Sequence, residues 1–137
     1  MSTLTDEQAQ LFAEPNFATV ATLAADGSAQ GSVVWVDFDG QNVVFNTCVG
    51  RAKERNIRRD PRVTIVVIDR GNPYCYVAVN GTADLSEDGA QDHIERLAHK
   101  YTGEAFGIRP GERRIIVRVR PARVAAYGFE ETSTEET

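Results

Sequence analysis

The amino-acid sequence predicts a mainly β domain that closes as a small barrel. Six segments are rich in β-branched residues, and most of them alternate between apolar and polar positions, which is the period of a strand. Asp-Gly pairs separate the first three segments, and such pairs favour tight turns because glycine accepts a positive φ. Helical spacing is confined to short stretches, and a chain of 137 residues has room for one core.

The first half of the chain begins with a helix and continues as three strands in an antiparallel meander. Thr5 is a suitable helix cap, and Pro15 ends the helix. The two turns are the Asp-Gly pairs at 26–27 and 39–40. The predicted helix and strands cover residues 5–13, 17–24, 30–38 and 42–47.

The second half of the chain mixes helices and strands. A short basic helix begins near Arg51 and ends at Asp60-Pro61. Gly81, inside a strand, predicts a bulge or a close backbone approach, and Ser86 is the expected cap of the last helix. The predicted strands cover residues 63–69, 74–85 and 113–129, and the last helix covers residues 87–101. The first of these strands is apolar on both faces and is expected to be buried.

The composition of the chain argues against several classes of protein. The net charge of -5 argues against a general nucleic-acid binder, because phosphate contacts require a basic surface. No apolar run approaches the ~20 residues of a membrane span, and the polar N-terminus does not resemble a secretory signal. A cytoplasmic protein with reduced thiols at Cys48 and Cys75 is therefore expected. Residues 1–129 are expected to form the barrel domain, and residues 130–137 an acidic disordered tail.

The motifs of common catalytic sites are missing from the sequence. It has no Gly-rich nucleotide loop, no zinc-protease motif and no nucleophile elbow. His93 and His99 lie off the apolar stripe of the last helix and are interpreted as solvated residues. Asp37 and Asp39 flank a turn, which explains them better than a catalytic carboxylate pair does. Neither a catalytic side chain nor a metal site is predicted.

The run from Asn46 to Arg62 carries the informative pattern. A strand that ends in Asn46-Thr47 leads to the start of a helix with Arg51 and Lys53. The free N–H groups of a helix N-terminus, the helix dipole and nearby cations together form an anion site. Arg51 and Lys53 could both reach one phosphate. A solvated basic helix accounts for the same spacing equally well, so the pattern alone leaves both interpretations open.

Three aromatic residues also have two interpretations. Tyr74 and Tyr76 share one face of their strand, where they could cover a planar ring system or simply pack, and spacing alone favours packing. Trp35 is the only tryptophan and has apolar neighbours. It is expected in the core or in a dimer interface rather than against a ligand.

Three blocks of the sequence, residues 21–40, 50–67 and 76–85, carry a family resemblance. The middle block, GRAKERNIRRDPRVTIVV, is the most specific because its basic segment, Arg-Asp-Pro break and apolar strand follow one another in the family's order. On these blocks the chain resembles the pyridoxamine 5'-phosphate oxidase-like superfamily. More narrowly, it is similar to the class B flavin/deazaflavin oxidoreductases, known as PPOX-class F420-dependent enzymes.

The resemblance implies a six-stranded antiparallel split β-barrel, the FMN-binding split barrel, with short flanking helices. It implies a homodimer with two cofactor sites at the subunit interface, each built by both subunits. The implied activity is hydride transfer between the deazaflavin coenzyme F420 and a small unsaturated or electron-poor substrate. An FMN-dependent oxidoreductase, or a non-catalytic carrier of F420 or haem, would use the same fold and remain alternatives.

The resemblance also implies roles for individual residues. Lys53 would contact the cofactor phosphate, assisted by Arg51 and the backbone N–H groups around Ala52, and Asn56 would hold this segment or touch the cofactor tail. Ser32, Val33 and Val34 would lie along the cofactor ring, and Asn46 and Thr47 would lie beside the phosphate and ribityl group. Tyr74 and Tyr76 would come from the second subunit and close the site. Some relatives carry a polar side chain at the position of Val33, so main-chain contacts to the ring are expected here.

Overall fold

A computed structural model of the chain describes residues 3–129, which form one antiparallel sheet and three helices. The acidic tail expected at residues 130–137 lies outside the described residues. In chain order the elements are α1 (Asp6–Ala13), β1 (Ala18–Leu23), β2 (Ala29–Val34), β3 (Val36–Phe38), β4 (Val43–Cys48), α2 (Ala52–Arg59), β5 (Arg62–Asp69), β6 (Asn72–Ser86), α3 (Ala90–Thr102) and β7 (Arg114–Tyr127).

The sheet curls because its two edge strands are neighbours in sequence. Its order is β2-β1-β5-β6-β7-β4-β3, and all neighbouring pairs are antiparallel. β2 and β3 occupy opposite ends of this order, yet only Trp35 separates them along the chain. The two edges must therefore meet at Trp35, and the sheet closes towards a barrel. The predicted mainly β, antiparallel split-barrel fold is confirmed.

The single strand predicted over residues 30–38 is two strands. Val34 in its first half lies opposite Ala18 of β1, whereas Val36 in its second half lies opposite Phe45 of β4. This change of partner raises the number of strands from the predicted six to seven within residues 3–129. The sequence does not reveal the break, because both halves keep the composition of a strand.

The first helix begins at the predicted cap. Thr5 Oγ1 accepts a hydrogen bond from the Gln8 N–H at 3.2 Å, and Gln8 Oε1 accepts one from the Thr5 N–H at 3.0 Å. This reciprocal capping box satisfies two backbone donors that the helix leaves free. Leu11 and Phe12 are buried against the barrel, so the cap and the apolar face together fix α1 over one end of the sheet.

The barrel core is made of inward-facing strand residues, with α1 and α2 adding side chains from outside the sheet. Its fully buried members include Phe12, Val20, Val36, Phe45, Ile65, Val67, Val77, Val79 and Val117. Within the single chain, β5 buries only one of its two faces, whereas burial of both was expected. Val63, Ile65 and Val67 are buried, but the opposite face is only partly covered and Ile68 is 46% exposed.

Two glycines mark irregular points in the second half of the chain. The pairing of β6 with β7 shifts register between Asn80 and Gly81, which confirms the bulge predicted there. The predicted Ser86 cap is wrong, because Ser86 is still paired with Ile116 in the sheet. Helix α3 begins after Gly89, whose φ of 75° is left-handed.

None of the helices in residues 3–129 is long and apolar enough to cross a membrane.

Candidate functional site

A cavity of about 330 Å³ lies where Trp35 separates the two edge strands. The ends of β2 and β4, the start of α2, one face of α3 and the start of β7 contribute to its wall. Its volume is within the range of small-molecule sites. The lining residues are Phe17, Val33, Val34, Trp35, Asn46, Arg51, Lys53, Ile94, Leu97, Phe106 and Arg114.

One wall of the cavity is aromatic. The Trp35 ring is stacked on Tyr101, with centroids 5.4 Å apart and planes 10° apart, and Phe106 meets Trp35 edge-on at 6.2 Å. The Tyr101 hydroxyl accepts a hydrogen bond from the Val36 N–H at 3.0 Å and donates one to the Asn16 carbonyl at 2.6 Å. Tyr101 is thus held rigidly behind Trp35. Trp35 was expected in the core or in an interface, and its position in the cavity wall was not predicted.

Three cationic side chains, which form the cationic end of the cavity, also belong to its lining. Arg51 is the N-cap residue of α2 and Lys53 lies in its first turn, while Arg114 begins β7 and is paired with Cys48 at the end of β4. Burial, followed by the charges of Arg51 and Arg114, lowers the pKa of Lys53. Within residues 3–129, neither Arg51 nor Lys53 forms an ion pair with a carboxylate. These two cations are therefore available to an anionic ligand.

Arg114 is buried and held by three side chains. Its Nε donates to Asn46 Oδ1 at 2.8 Å, and its Nη1 donates to Cys48 Sγ at 2.9 Å and to Glu112 Oε2 at 2.7 Å. The guanidinium carbon also lies 5.0 Å from the centre of the Phe106 ring. Nothing in the local sequence pattern marks Arg114 as a site residue, because it occupies one position of an ordinary strand. Only the pairing of β4 with β7 brings it to the cavity.

A buried histidine supports this network. Asn46 Nδ2 donates to the Ala90 carbonyl and to His93 Nδ1, both at 3.0 Å. His93 is only 3% exposed, so the expectation that it is a solvated residue is wrong. Burial lowers its pKa to about 4, which leaves the ring neutral near pH 7. His99 is exposed, as predicted.

Five of the predicted cofactor-binding residues meet at this cavity: Val33, Val34, Asn46, Arg51 and Lys53. Ser32, Thr47, Ala52 and Asn56 are not among its lining residues. Asn56 donates to Thr22 Oγ1 at 3.1 Å and to Gln30 Oε1 at 2.8 Å, so it fastens α2 to β1 and β2. The buried hydroxyls of Ser32 and Thr47 have no hydrogen-bond partner within the described part of the chain.

The two tyrosines of β6 do not line the cavity of their own chain. Tyr74 is 74% exposed, and Tyr76 is stacked on Tyr127 with centroids 6.0 Å apart. Their expected contact with a cofactor in the partner subunit stays a prediction.

The remaining polar candidates have structural roles. Asp39 accepts hydrogen bonds from the Gln41 and Asn42 N–H groups at 3.0 and 2.7 Å, which confirms the turn interpretation for Asp39. Asp37 lies within β3, and its Oδ1 is 3.9 Å from Lys100 Nζ. Cys48 and Cys75 are free, and burial raises the pKa of both thiols. Between residues 3 and 129, no group of three or more His, Cys, Asp or Glu side chains is arranged to hold a metal ion.

The structure is thus a split β-barrel whose cavity is lined by aromatic rings and by cationic side chains. The chain belongs to the pyridoxamine 5'-phosphate oxidase family, whose model matches residues 4–128. A pyridoxine/pyridoxamine 5'-phosphate oxidase from Kineococcus radiotolerans is 41% identical over 71 residues, which are 52% of this chain and 31% of that protein. The match thus spans less than a third of the length of this curated relative.

Solved structures share the fold over most of the chain. An F420 reductase has a TM-score of 0.79 and 30% identity, over 89% of this chain and 98% of that structure. A conserved hypothetical protein from Mycobacterium tuberculosis has a TM-score of 0.74 and 21% identity, over 98% and 94% of the two chains. The HupZ protein of Group A Streptococcus has a TM-score of 0.70 and 18% identity, over 97% and 99%. The fold is therefore that of the flavin- and deazaflavin-type oxidoreductases.

Proposed function

We propose that this protein is an F420-dependent oxidoreductase that transfers a hydride between the deazaflavin coenzyme and a small unsaturated or electron-poor substrate. The observation that carries the proposal is that Arg51 and Lys53, which have no carboxylate partner within residues 3–129, line the same cavity as Trp35 and Phe106. A phosphate on a planar ring system combines the two chemistries that these walls recognise. The similarity to an F420 reductase at 30% identity supports the choice of coenzyme.

The residues present fit a phosphate-bearing ring cofactor. The cationic end offers Arg51 and Lys53, which form no ion pair within residues 3–129, and Val33 and Val34 provide a strand edge along which a planar ring can lie. A second recess of about 620 Å³ shares Arg51 and Phe106 with the cavity and includes Arg109. This recess provides room for a cofactor longer than the cavity itself.

The side chains act by binding and orientation. Lys53 and Arg51 hold the phosphate, and the N–H groups at the start of α2 assist them. Trp35, fixed by Tyr101, limits how the substrate lies and keeps water from that side of the cavity. When bound, the reduced deazaflavin supplies the hydride. Among the described residues, no carboxylate, imidazole or thiol lines the cavity, so we assign the accompanying proton to solvent.

We further propose a homodimer in which the partner subunit closes each site. Ile68, Tyr74 and Tyr127 are large apolar side chains that remain exposed on or beside the β5–β6 face of the sheet. Val33, at the cavity, is 66% exposed. A second copy on this face would bury these groups and bring Tyr74 and Tyr76 to the neighbouring cofactor. Light scattering after size exclusion should give twice the mass of the chain, and a monomer at all concentrations would contradict this arrangement.

A single titration distinguishes the cofactors. The purified protein is titrated in parallel with F420, FMN and haem, followed by coenzyme fluorescence, flavin absorbance and the Soret band. We expect saturable F420 binding and, with the reduced coenzyme, oxidation by members of a panel of activated enones and nitro compounds. Tight FMN binding without F420 binding would favour the FMN enzyme, and F420 binding without turnover would favour a carrier.

Lys53→Ala tests the phosphate assignment. Loss of a charge-assisted hydrogen bond should weaken F420 binding by about 1.5–3 kcal/mol, or roughly 10- to 150-fold. Arg96→Ala removes one positive charge from an exposed position of α3 outside the cavity lining and is the control. Equal affinities of the wild type and Lys53→Ala would show that the phosphate lies elsewhere.

A further inference from the structure

We propose that Arg114 is a third phosphate-binding residue of the cavity, held in a fixed orientation by Asn46 and Glu112. The inference rests on the proposed function, since it assumes a ligand with a phosphate in this cavity. It adds a residue from β7, remote in sequence from the basic start of α2.

The hydrogen bonds of Arg114 leave one side of its guanidinium unused. A guanidinium has five N–H donors. Three of them are directed to Asn46, Cys48 and Glu112, through Nε and both hydrogens of Nη1. Within residues 3–129, the hydrogen bonds of Arg114 run from Nε and Nη1 and none runs from Nη2. The side chain is 3% exposed and lines the cavity. Two donors on a buried cation are thus left for a ligand.

The position of Arg114 relative to the other cations follows from the sheet register. Cys48 lies opposite Arg114 in the pairing of β4 with β7, and the Arg51 N–H donates to the Cys48 carbonyl at 3.2 Å. The end of β4 therefore connects the Arg114 strand to the start of α2. The charges of both Arg51 and Arg114 act on the Lys53 ammonium. The three cations consequently converge on one end of the cavity.

The surroundings of Arg114 fix its direction before any ligand arrives. Glu112 is itself held by the Arg109 N–H at 2.9 Å, and this bond together with Arg114 lowers its pKa to about 2. Asn46 is anchored from behind by Ala90 and His93. An arginine held by second-layer hydrogen bonds loses little conformational freedom when it binds phosphate. If Arg114 served only to form an ion pair with Glu112, it would not have to line the cavity or leave the Nη2 donors free.

Binding of coenzymes with and without phosphate separates a ligand contact from a structural role. The wild type, Arg114→Gln and Arg114→Lys are titrated with F420 and with the deazaflavin fragment that lacks the phosphate. We expect Arg114→Gln to weaken F420 binding by 10-fold or more and Arg114→Lys by a smaller factor, while the phosphate-free fragment changes by less than about twofold. Arg118→Gln is the control, because Arg118 lies on the same strand outside the cavity lining. Equal weakening of both ligands, or no weakening of F420, would overturn the proposal.

A measurement on the wild type keeps the test independent of variant folding and of the coenzyme. Inorganic pyrophosphate is added while the Nε–Hε resonances of the arginines are followed by NMR. A saturable shift of the Arg114 resonance, without a shift of Arg118, supports the proposal. An Arg114 resonance that is unchanged at millimolar pyrophosphate overturns it. If F420 and FMN both fail to bind but pyrophosphate shifts Arg114, the proposed function fails and the anion site stands.

Discussion

Gly81 lies so close to Arg120 that a Cβ atom on Gly81 would meet the Arg120 carbonyl oxygen at 2.3 Å and the Val119 Cγ1 at 2.8 Å. The contact occurs where the pairing of β6 with β7 changes register. Because the obstacle is backbone in the middle of the sheet, it cannot move aside as a flexible side chain would.

Gly81→Ala should therefore destabilise the barrel. We expect its free energy of unfolding to fall by about 2–3 kcal/mol, the cost of overpacking a core. Gly31→Ala is a matched control in β2, where the nearest atom to a Cβ is the Val20 carbonyl oxygen at 3.9 Å. It should change stability by less than about 0.5 kcal/mol. Urea denaturation of the three proteins makes the comparison, and similar midpoints would contradict the close approach.

The buried imidazole of His93 should make stability depend on pH. Its pKa is lowered from 6.5 in the unfolded chain to about 4 in the fold, chiefly by burial. Between these values the unfolded state binds more protons, so stability is lost as the pH falls. The expected loss between pH 7 and pH 5 is about 2 kcal/mol. His93→Asn keeps an acceptor for Asn46 but does not titrate, and should flatten this part of the profile.

The control for His93 is His99→Asn, which changes an exposed histidine on the same helix. Its denaturation midpoints should follow the wild-type pH profile. A wild-type profile that is flat between pH 7 and pH 5, or one that both variants alter equally, would show that His93 is not the responsible group.

Removing the Tyr101 hydroxyl should loosen the connection of α1 and β3 to α3. Tyr101→Phe leaves the Val36 N–H without its partner at 3.0 Å and the Asn16 carbonyl without its donor. The expected cost is about 1–3 kcal/mol. The Trp35 ring still has an aromatic ring beside it, so its fluorescence maximum should hardly move. A free energy of unfolding equal to that of the wild type would contradict this role.

On the proposed function, F420 affinity should weaken at alkaline pH through Lys53. Burial and the charges of Arg51 and Arg114 lower the pKa of this ammonium, so it loses its proton at a lower pH than an exposed lysine. The charged form attracts phosphate, and F420 affinity should therefore fall as the pH rises through that lowered pKa. Lys53→Arg stays charged and should show a flatter profile. Dissociation constants measured from neutral pH to about pH 10 test this, and parallel profiles would contradict it.

Local patterns were sufficient for most elements. The Thr5 cap, the Asp-Gly turns and the bulge at Gly81 depend on residues close together in sequence or on one residue's conformational range. The errors arise where a distant element decides the outcome. The strand break at Trp35 follows from a change of pairing partner, and the late start of α3 follows from the pairing of Ser86 with Ile116.

The residues of the candidate site also fall into two groups, those that local sequence patterns predict and those that they do not. Asn46, Arg51 and Lys53 stand close together along the chain, so a strand end followed by a basic helix start was enough to single them out. Arg114 and Phe106 are more than 50 residues away from Arg51 and carry no local pattern. Trp35 looked like a core residue because its neighbours are apolar.

The sequence by itself determined the antiparallel β class, the boundaries of most strands and the basic start of α2, because turn chemistry and alternation are local properties of the backbone. Tertiary structure alone decided that β2 and β3 meet at Trp35, that His93 is buried against Asn46 and that Arg114 joins the cationic end. These features depend on which strands pair across the sheet. The free energy of packing and strand pairing, summed over residues distant in sequence, determines which strands pair. No single segment of the sequence is sufficient to predict that pairing.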